Sequence, residues 1–143
     1  MFEKRVQKSF EAMNRKDLAA VMAPWRDDGV FEFGGNASIS GRYEGKAAVE
    51  GFFRKVFARM AKIHTTVRAV GFSGARLNYA GTMFVAYDVD ETTTEGRDIH
   101  DRRLATFRFE RGRVVHSAEY VLDTRVIDEV WGAAKPARPR PAA

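Results

Sequence analysis

The 143 residues include no cysteine. Disulfides, thiolate nucleophiles and cysteine-based zinc sites are therefore excluded. Histidine is scarce, with three scattered residues and neither an HExxH segment nor a close pair. That distribution argues against a metal site, and neither a metal nor a cofactor is expected. No run of about 18 apolar residues occurs, so no segment is expected to span a membrane. The N-terminal stretch MFEKRVQKSFEAMNRKD is charged throughout and does not read as a signal peptide. A cytoplasmic protein of bacterial type is the resulting expectation. The chain also lacks a basic helix with interleaved aromatics and any recognisable nucleic-acid module, so nucleic acid is not an expected partner.

What is present is an ordinary globular composition: 45% apolar residues, 30% charged residues and 11 phenylalanines. The length suits one domain with a sizeable core, expected over 1–132. Net charge is +5, but Lys135, Arg138 and Arg140 stand in the closing stretch AAKPARPRPAA, and without them the body carries only +2. That basic Pro/Ala-rich tail, 133–143, is expected to be disordered.

Phe2, Val6, Phe10 and Met13 recur at helical spacing and predict an amphipathic helix over the first 14 residues. Asp17 reads as the N-cap of a short second helix carrying Leu18, Val21 and Met22, which Pro24 helps to end. GVFEF (29–33) is a short strand, and GGNASISGRYEG a loop rich in Gly, Ser and Asn. Val49, Phe52, Phe53, Val56, Phe57 and Met60 then form the stripe of the clearest helix. After Met60 the period changes from 3.6 to 2. Residues 63–72, 76–90, 98–109 and 113–122 read as four strands joined by turn-like segments, an antiparallel meander. A last helix, Thr124 to Trp131, ends at Gly132.

Helices first and strands after predict an α+β fold, with helices on one face of the sheet. The strands 76–90 and 98–109 are apolar on both faces. In the first, Leu77, Tyr79, Met83, Val85 and Tyr87 share one side, and Ala80, Phe84 and Ala86 the other. A half-solvated sheet shows one polar face, so a second copy of the chain is expected over the outer face. The last strand poses a sharper question. Val115, Ser117, Glu119 and Val121 alternate to one side, and Val114, His116, Ala118 and Tyr120 to the other. Glu119 is thus a carboxylate in a strand that is covered on both sides. His116 and Tyr120 fall on the side expected to meet the second copy.

The element order, the DD before the first strand and the terminal EY…D resemble the nuclear transport factor 2-like superfamily, in particular its SnoaL-like and ketosteroid-isomerase-like members. The matching stretches are NRKDLAAVMAPWRDDGVFEF, GRYEGKAAVEGFFRKVF, GRDIHDRRLATFRFERGRV and AEYVLDTRVIDEVWG, which cover most of residues 5 to 132. The resemblance implies a curved antiparallel sheet wrapped around the N-terminal helices and a conical pocket for a small hydrophobic molecule. An apolar cavity with few polar groups suits such ligands. Ketosteroid isomerase chemistry needs a Tyr and two Asp where this chain has Ser9, Phe33 and Ala105; Phe33 cannot abstract a proton, and Ala105 cannot donate a hydrogen bond to an enolate. Polyketide cyclases and limonene epoxide hydrolase both place an acidic residue where Glu119 falls. The hydrolase's second Asp falls on Asp88, but Ala86 replaces its Arg, and Phe31 and Phe33 replace its water-positioning pair. The cyclase's His falls on Ala105. His64 lies near the His of dehydratase relatives.

Glu119, Asp88 and His64 are therefore the candidate acid/base set. Burial raises carboxyl pKa values, which suits such groups to proton transfer near neutral pH. Arg103, Asp101, Trp25, Phe31, Phe33, Phe53, Phe57 and Phe84 are the candidate pocket residues. Two readings stand side by side. In one, the chain is a cofactor-free isomerase, dehydratase or cyclase for a small polyketide-, steroid- or terpenoid-like compound. In the other, Arg103 pairs with Glu119 and the domain only binds a ligand or dimerises.

Overall fold

The structure, a computed structural model, describes residues 2–74 and 80–133. Leu77 and Tyr79 and most of the predicted tail, from 134 on, lie outside the described residues. The order of elements is α1 (Phe2–Asn14), α2 (Leu18–Met22), β1 (Trp25–Phe33), β2 (Gly41–Glu44), α3 (Lys46–Arg59), β3 (Met60–Ser73), β4 (Gly81–Thr93), β5 (Asp98–Glu110), β6 (Arg113–Val121) and α4 (Thr124–Trp131). No helix is long and apolar enough to cross a membrane among the described residues.

The helices form for the reasons their spacing gives. Val6 and Phe10 on α1 are buried, one turn apart on a single face. Asn14 closes the helix by accepting the N–H and the hydroxyl of Thr65, each at 2.8 Å, which ties its end to β3. The Asp17 carboxylate accepts the Ala20 N–H at 3.1 Å and caps α2. Val49, Phe52 and Phe53 bury the inner face of α3. Lys16 donates to the Met60 carbonyl at 2.8 Å, placing a cation at the C-terminal end of α3. Met60 itself is buried but opens β3 rather than ending the helix.

Strands β3 to β6 form the expected antiparallel meander in one six-stranded sheet of order β2-β1-β6-β5-β4-β3. The sheet is curved and unclosed, and it is not antiparallel throughout, because β1 runs parallel to β6. β1 starts at Trp25 rather than residue 29. An irregularity between Trp25 and Val30 accommodates the longer strand, and at Gly29 a Cβ would lie 2.7 Å from the Trp25 ring. The stretch read as a loop contains β2, a short, largely exposed edge strand on β1. Ala133, placed in the tail by the sequence, bridges to Ala37.

Two apolar groups form the core. Trp25, Phe31, Phe33, Phe52 and Phe53 lie between α3 and β1, with ring centroids 4.7 to 6.4 Å apart. Each such burial contributes about 1.5–3 kcal/mol, and tilted ring pairs add about 0.5–1.5 kcal/mol. Val6, Phe10, Met83, Val85, Tyr87 and Val89 form the second group, between α1 and the inner face of β4. The outer face of the meander carries Phe84, Leu104 and Tyr120, exposed at 40%, 39% and 58%.

Candidate functional site

The inner faces of the central strands place four charged or hydroxyl side chains together. Register sets Tyr87 across from Arg103, and Ala105 across from Glu119. Tyr87 and Glu119 therefore stand two strands apart, about 9–10 Å along the hydrogen-bonding direction. Only a long side chain passing over a small one can close that gap. Ala105, fully buried, is the small residue, and the Tyr87 hydroxyl donates to Glu119 Oε1 at 2.9 Å. Behind Glu119 the strand is held by the Gly34 N–H, which donates to the Glu119 carbonyl at 2.9 Å. A Cβ at position 34 would come within 2.9 Å of that oxygen.

Arg103 sits among three carboxylates. Its Nη2 donates to Glu91 Oε1 at 3.1 Å and its Nε to Asp101 Oδ2 at 3.2 Å. Nη1 is 3.7 Å from Glu119 Oε2, an ionic contact longer than a hydrogen bond. The guanidinium also lies over the Phe33 ring, 5.5 Å from its centroid. Side-chain exposure is 11% for Arg103 and 13% for Glu119. One cation therefore faces three acids in a wall with little water. Burial pushes the Glu119 carboxyl above the usual range and Asp101 adds to this, while Arg103 and the Tyr87 bond pull the other way. Glu91 is raised by burial first, with Glu119 and Asp101 adding. Burial opposes the charge on Arg103, but Tyr87, Glu91, Glu119 and Asp101 outweigh it and hold the guanidinium protonated. The Tyr87 hydroxyl is raised well above its ordinary value by burial and then by Glu119, so it stays a donor.

Glu119, Tyr87, Arg103 and Glu91 form the polar end of a cavity of about 120 Å³, counted as space open to the centres of water-sized spheres. On that measure one water needs about 10–15 Å³, so the space suits a molecule of several heavy atoms. The rest of the lining is mostly apolar. A carboxyl whose pKa burial raises holds its proton more readily than a free one, which suits it to proton transfer. Among the described residues no group of His, Asp and Glu is arranged to hold a metal. The three inward acids converge on Arg103 instead.

Of the residues singled out in the sequence, Glu119, Arg103, Trp25, Phe31, Phe33 and Phe53 line this cavity. Asp101 is buried behind it on Arg103. Phe57 packs into the core without lining the cavity. Three expectations are corrected by strand alternation. Asp88 follows inward-facing Tyr87 and so faces out, where Arg68 donates to it at 2.8 Å and lowers its pKa. His64 is exposed and pairs in register with Asp90, also away from the cavity. Phe84 lies on the outer face. His116 and Tyr120 do fall outside, with His116 Nε2 2.8 Å from Glu32. The Val114 side chain lines the cavity with Ser117 and Glu119 because a register shift near Val115 inverts the alternation. Tyr87 and Glu91 had no separate signal: the first reads as core, and the second as part of a strand-end acidic run.

The fold is thus a helix-backed curved sheet with an acid on its last strand facing a mostly apolar cavity. The chain matches the SnoaL-like domain over residues 6–117 and belongs to that family. Among solved structures it is similar to a nuclear transport factor 2-like protein of unknown function from Burkholderia pseudomallei. Identity there is 24% over 92% of this chain and 97% of that one, with a TM-score of 0.76. A putative isomerase from Bacillus subtilis is 22% identical over 92% of this chain and 93% of its own, with a TM-score of 0.72. A protein of ketosteroid isomerase-like fold from Catenulispora acidiphila, in complex with trimethylamine, is 12% identical over 94% and 97%, also at 0.72. These likenesses carry the fold and not the reaction. No curated protein matches the sequence.

Proposed function

We propose that this protein is a cofactor-free acid/base enzyme that isomerises, dehydrates or cyclises a small hydrophobic molecule, with Glu119 as its proton-transferring group. The observation that carries the reading is the setting of Glu119. One oxygen is fixed by the Tyr87 hydroxyl, and the side chain lines a mostly apolar cavity. Glu119 removes a proton from the ligand in its carboxylate form and returns it as the acid, to another carbon in an isomerisation or to a departing hydroxyl in a dehydration. Tyr87 keeps its single proton on Glu119, and Arg103 beside it offers a positive charge to the negative charge that develops between the two transfers. Asp88 and His64 have no part, because they stand on the other side of the sheet. The test is turnover across a panel of cyclic ketones and β-hydroxy ketones. Glu119→Gln should abolish any activity found, and a variant as active as the parent rules the assignment out.

A second reading, binding without turnover, is favoured by one observation: each inward carboxylate is already engaged, Glu91 and Asp101 by Arg103 and Glu119 by Tyr87. It predicts ligand affinity with no product at any pH. In either reading the exposed outer residues Phe84, Leu104 and Tyr120 are the surface we assign to a second copy of the chain.

A further inference from the structure

Ser117 stands two residues before Glu119 on the inner face of β6, between Phe31 of β1 and Phe107 of β5 in register. It is 1% exposed and lines the cavity. Among the described residues no group hydrogen-bonds its hydroxyl. A buried hydroxyl without a partner is unfavourable by an amount comparable to a lost hydrogen bond. Alanine would fill the same space between the two rings without that penalty. A hydroxyl retained there is most useful if something entering the cavity bonds to it.

We propose that Ser117 is a second polar anchor of the cavity, and that the ligand is a flat cyclic molecule with two oxygen functions set across its ring system. One oxygen meets the Glu119, Tyr87 and Arg103 end. The other bonds Ser117, whose backbone lies about 6–7 Å further along the same strand face. The separation favours a rigid skeleton, since a flexible chain would lose more freedom on being held at both ends. Phe31 and Phe33, with ring centroids 6.4 Å apart and planes tilted by 39° on the same wall, offer the ligand's rings aromatic packing partners. The hydroxyl both donates and accepts, so a ketone or a hydroxyl satisfies it equally. This inference rests on the cavity being a ligand site, as above, but not on Glu119 performing catalysis.

The test compares para-hydroxyacetophenone with acetophenone by calorimetry on the parent protein, on Ser117→Ala and on Ser117→Cys, which keeps the volume but donates weakly. In Ser117→Ala the dissociation constant of para-hydroxyacetophenone should rise about tenfold, the size of one lost hydrogen bond, while that of acetophenone stays unchanged. Ser117→Cys should fall with the alanine variant. The ligand-free melting temperature of Ser117→Ala should equal or exceed that of the parent, because a solitary buried hydroxyl has been removed. Equal changes for both probes, no change for either, or binding of neither to the parent overturns the anchor. A lowered ligand-free melting temperature overturns it as well, since it marks a hydroxyl that serves the fold. A Glu119→Gln variant that turns over substrate normally defeats the catalytic reading alone and leaves these binding differences standing.

Discussion

The Tyr87 hydroxyl on β4 reaches across β5 and donates to Glu119 Oε1 on β6 at 2.9 Å. The carboxylate is thereby anchored by a neutral donor, while the adjacent guanidinium of Arg103 is hydrogen-bonded to Glu91 and Asp101. Glu119 thus keeps an oxygen 3.7 Å from a positive charge without being locked into a bidentate pair.

Tyr87→Phe removes a bond that favours the charged form of Glu119 and so should raise its pKa further. The acid limb of any activity profile that needs the carboxylate should move to higher pH, with a loss of about 1 kcal/mol in stability. Carboxyl-detected NMR titration of Glu119 reads the shift directly. A downward shift would contradict the role given to Tyr87.

Arg103→Met leaves three buried carboxylates without their cation, a change expected to destabilise by about 3–5 kcal/mol at neutral pH. Burial already raises Glu91 and Glu119, and loss of Arg103 raises them more. Stability tied to a carboxyl with a raised folded pKa is present below its unfolded value and declines as pH rises through the folded one. The variant should accordingly recover in acid. Urea unfolding at a series of pH values checks the slope.

Glu119→Gln keeps an acceptor for Tyr87 and removes a group that burial penalises when charged. Its stability relative to the parent should increase from about pH 4 toward neutrality, the range above the unfolded Glu value. A variant that loses ground as pH rises would mean that Glu119 is stabilised as the carboxylate, contrary to the direction above.

Leu104→Glu puts a charge in the middle of the exposed apolar face that includes Phe84 and Tyr120. The parent should sediment as a dimer at micromolar concentration and the variant as a monomer, with the folded circular dichroism spectrum retained. A monomeric parent removes the assignment of that face to a second copy.

His64→Ala and Asp88→Asn should leave turnover unchanged, because both residues lie outside the cavity. Asp88→Asn should also affect stability little, since its partner Arg68 is 62% exposed and water screens the pair. A large loss of activity in either variant would require a route through the sheet that the present contacts do not contain.

Much of this architecture could be read from the chain because local physics and the final fold agree. The stripe Val49, Phe52, Phe53 specifies a helix face whatever it packs against, and the Asp17 cap lies beside the N–H it accepts. The errors fall where the two levels separate. Residues 41–44 are mostly polar and exposed, and Tyr43 alone packs inward on Phe31 and Phe52, so no alternating apolar pattern marks β2, and its pairing with β1 supplies what its own composition does not. Met60 continues a helical stripe by spacing, yet the chain bends into β3 at that residue. Resemblance points Asp88 inward, whereas its alternation with Met83, Val85 and Tyr87 turns it out. In a strand, one residue's difference changes the face.

Residue order alone determined the helices, the meander and the inward face of Glu119, because periods of 3.6 and 2 are local properties of the backbone. Tertiary structure decided which polar groups share that face. Tyr87, Arg103 and Glu119 are separated by up to 32 positions in the chain and come together through strand register, a small residue at 105 and a curved sheet. The register shift near Val115, which turns Val114 into the cavity beside Ser117, depends on pairing between strands and leaves no mark in the pattern of either one alone.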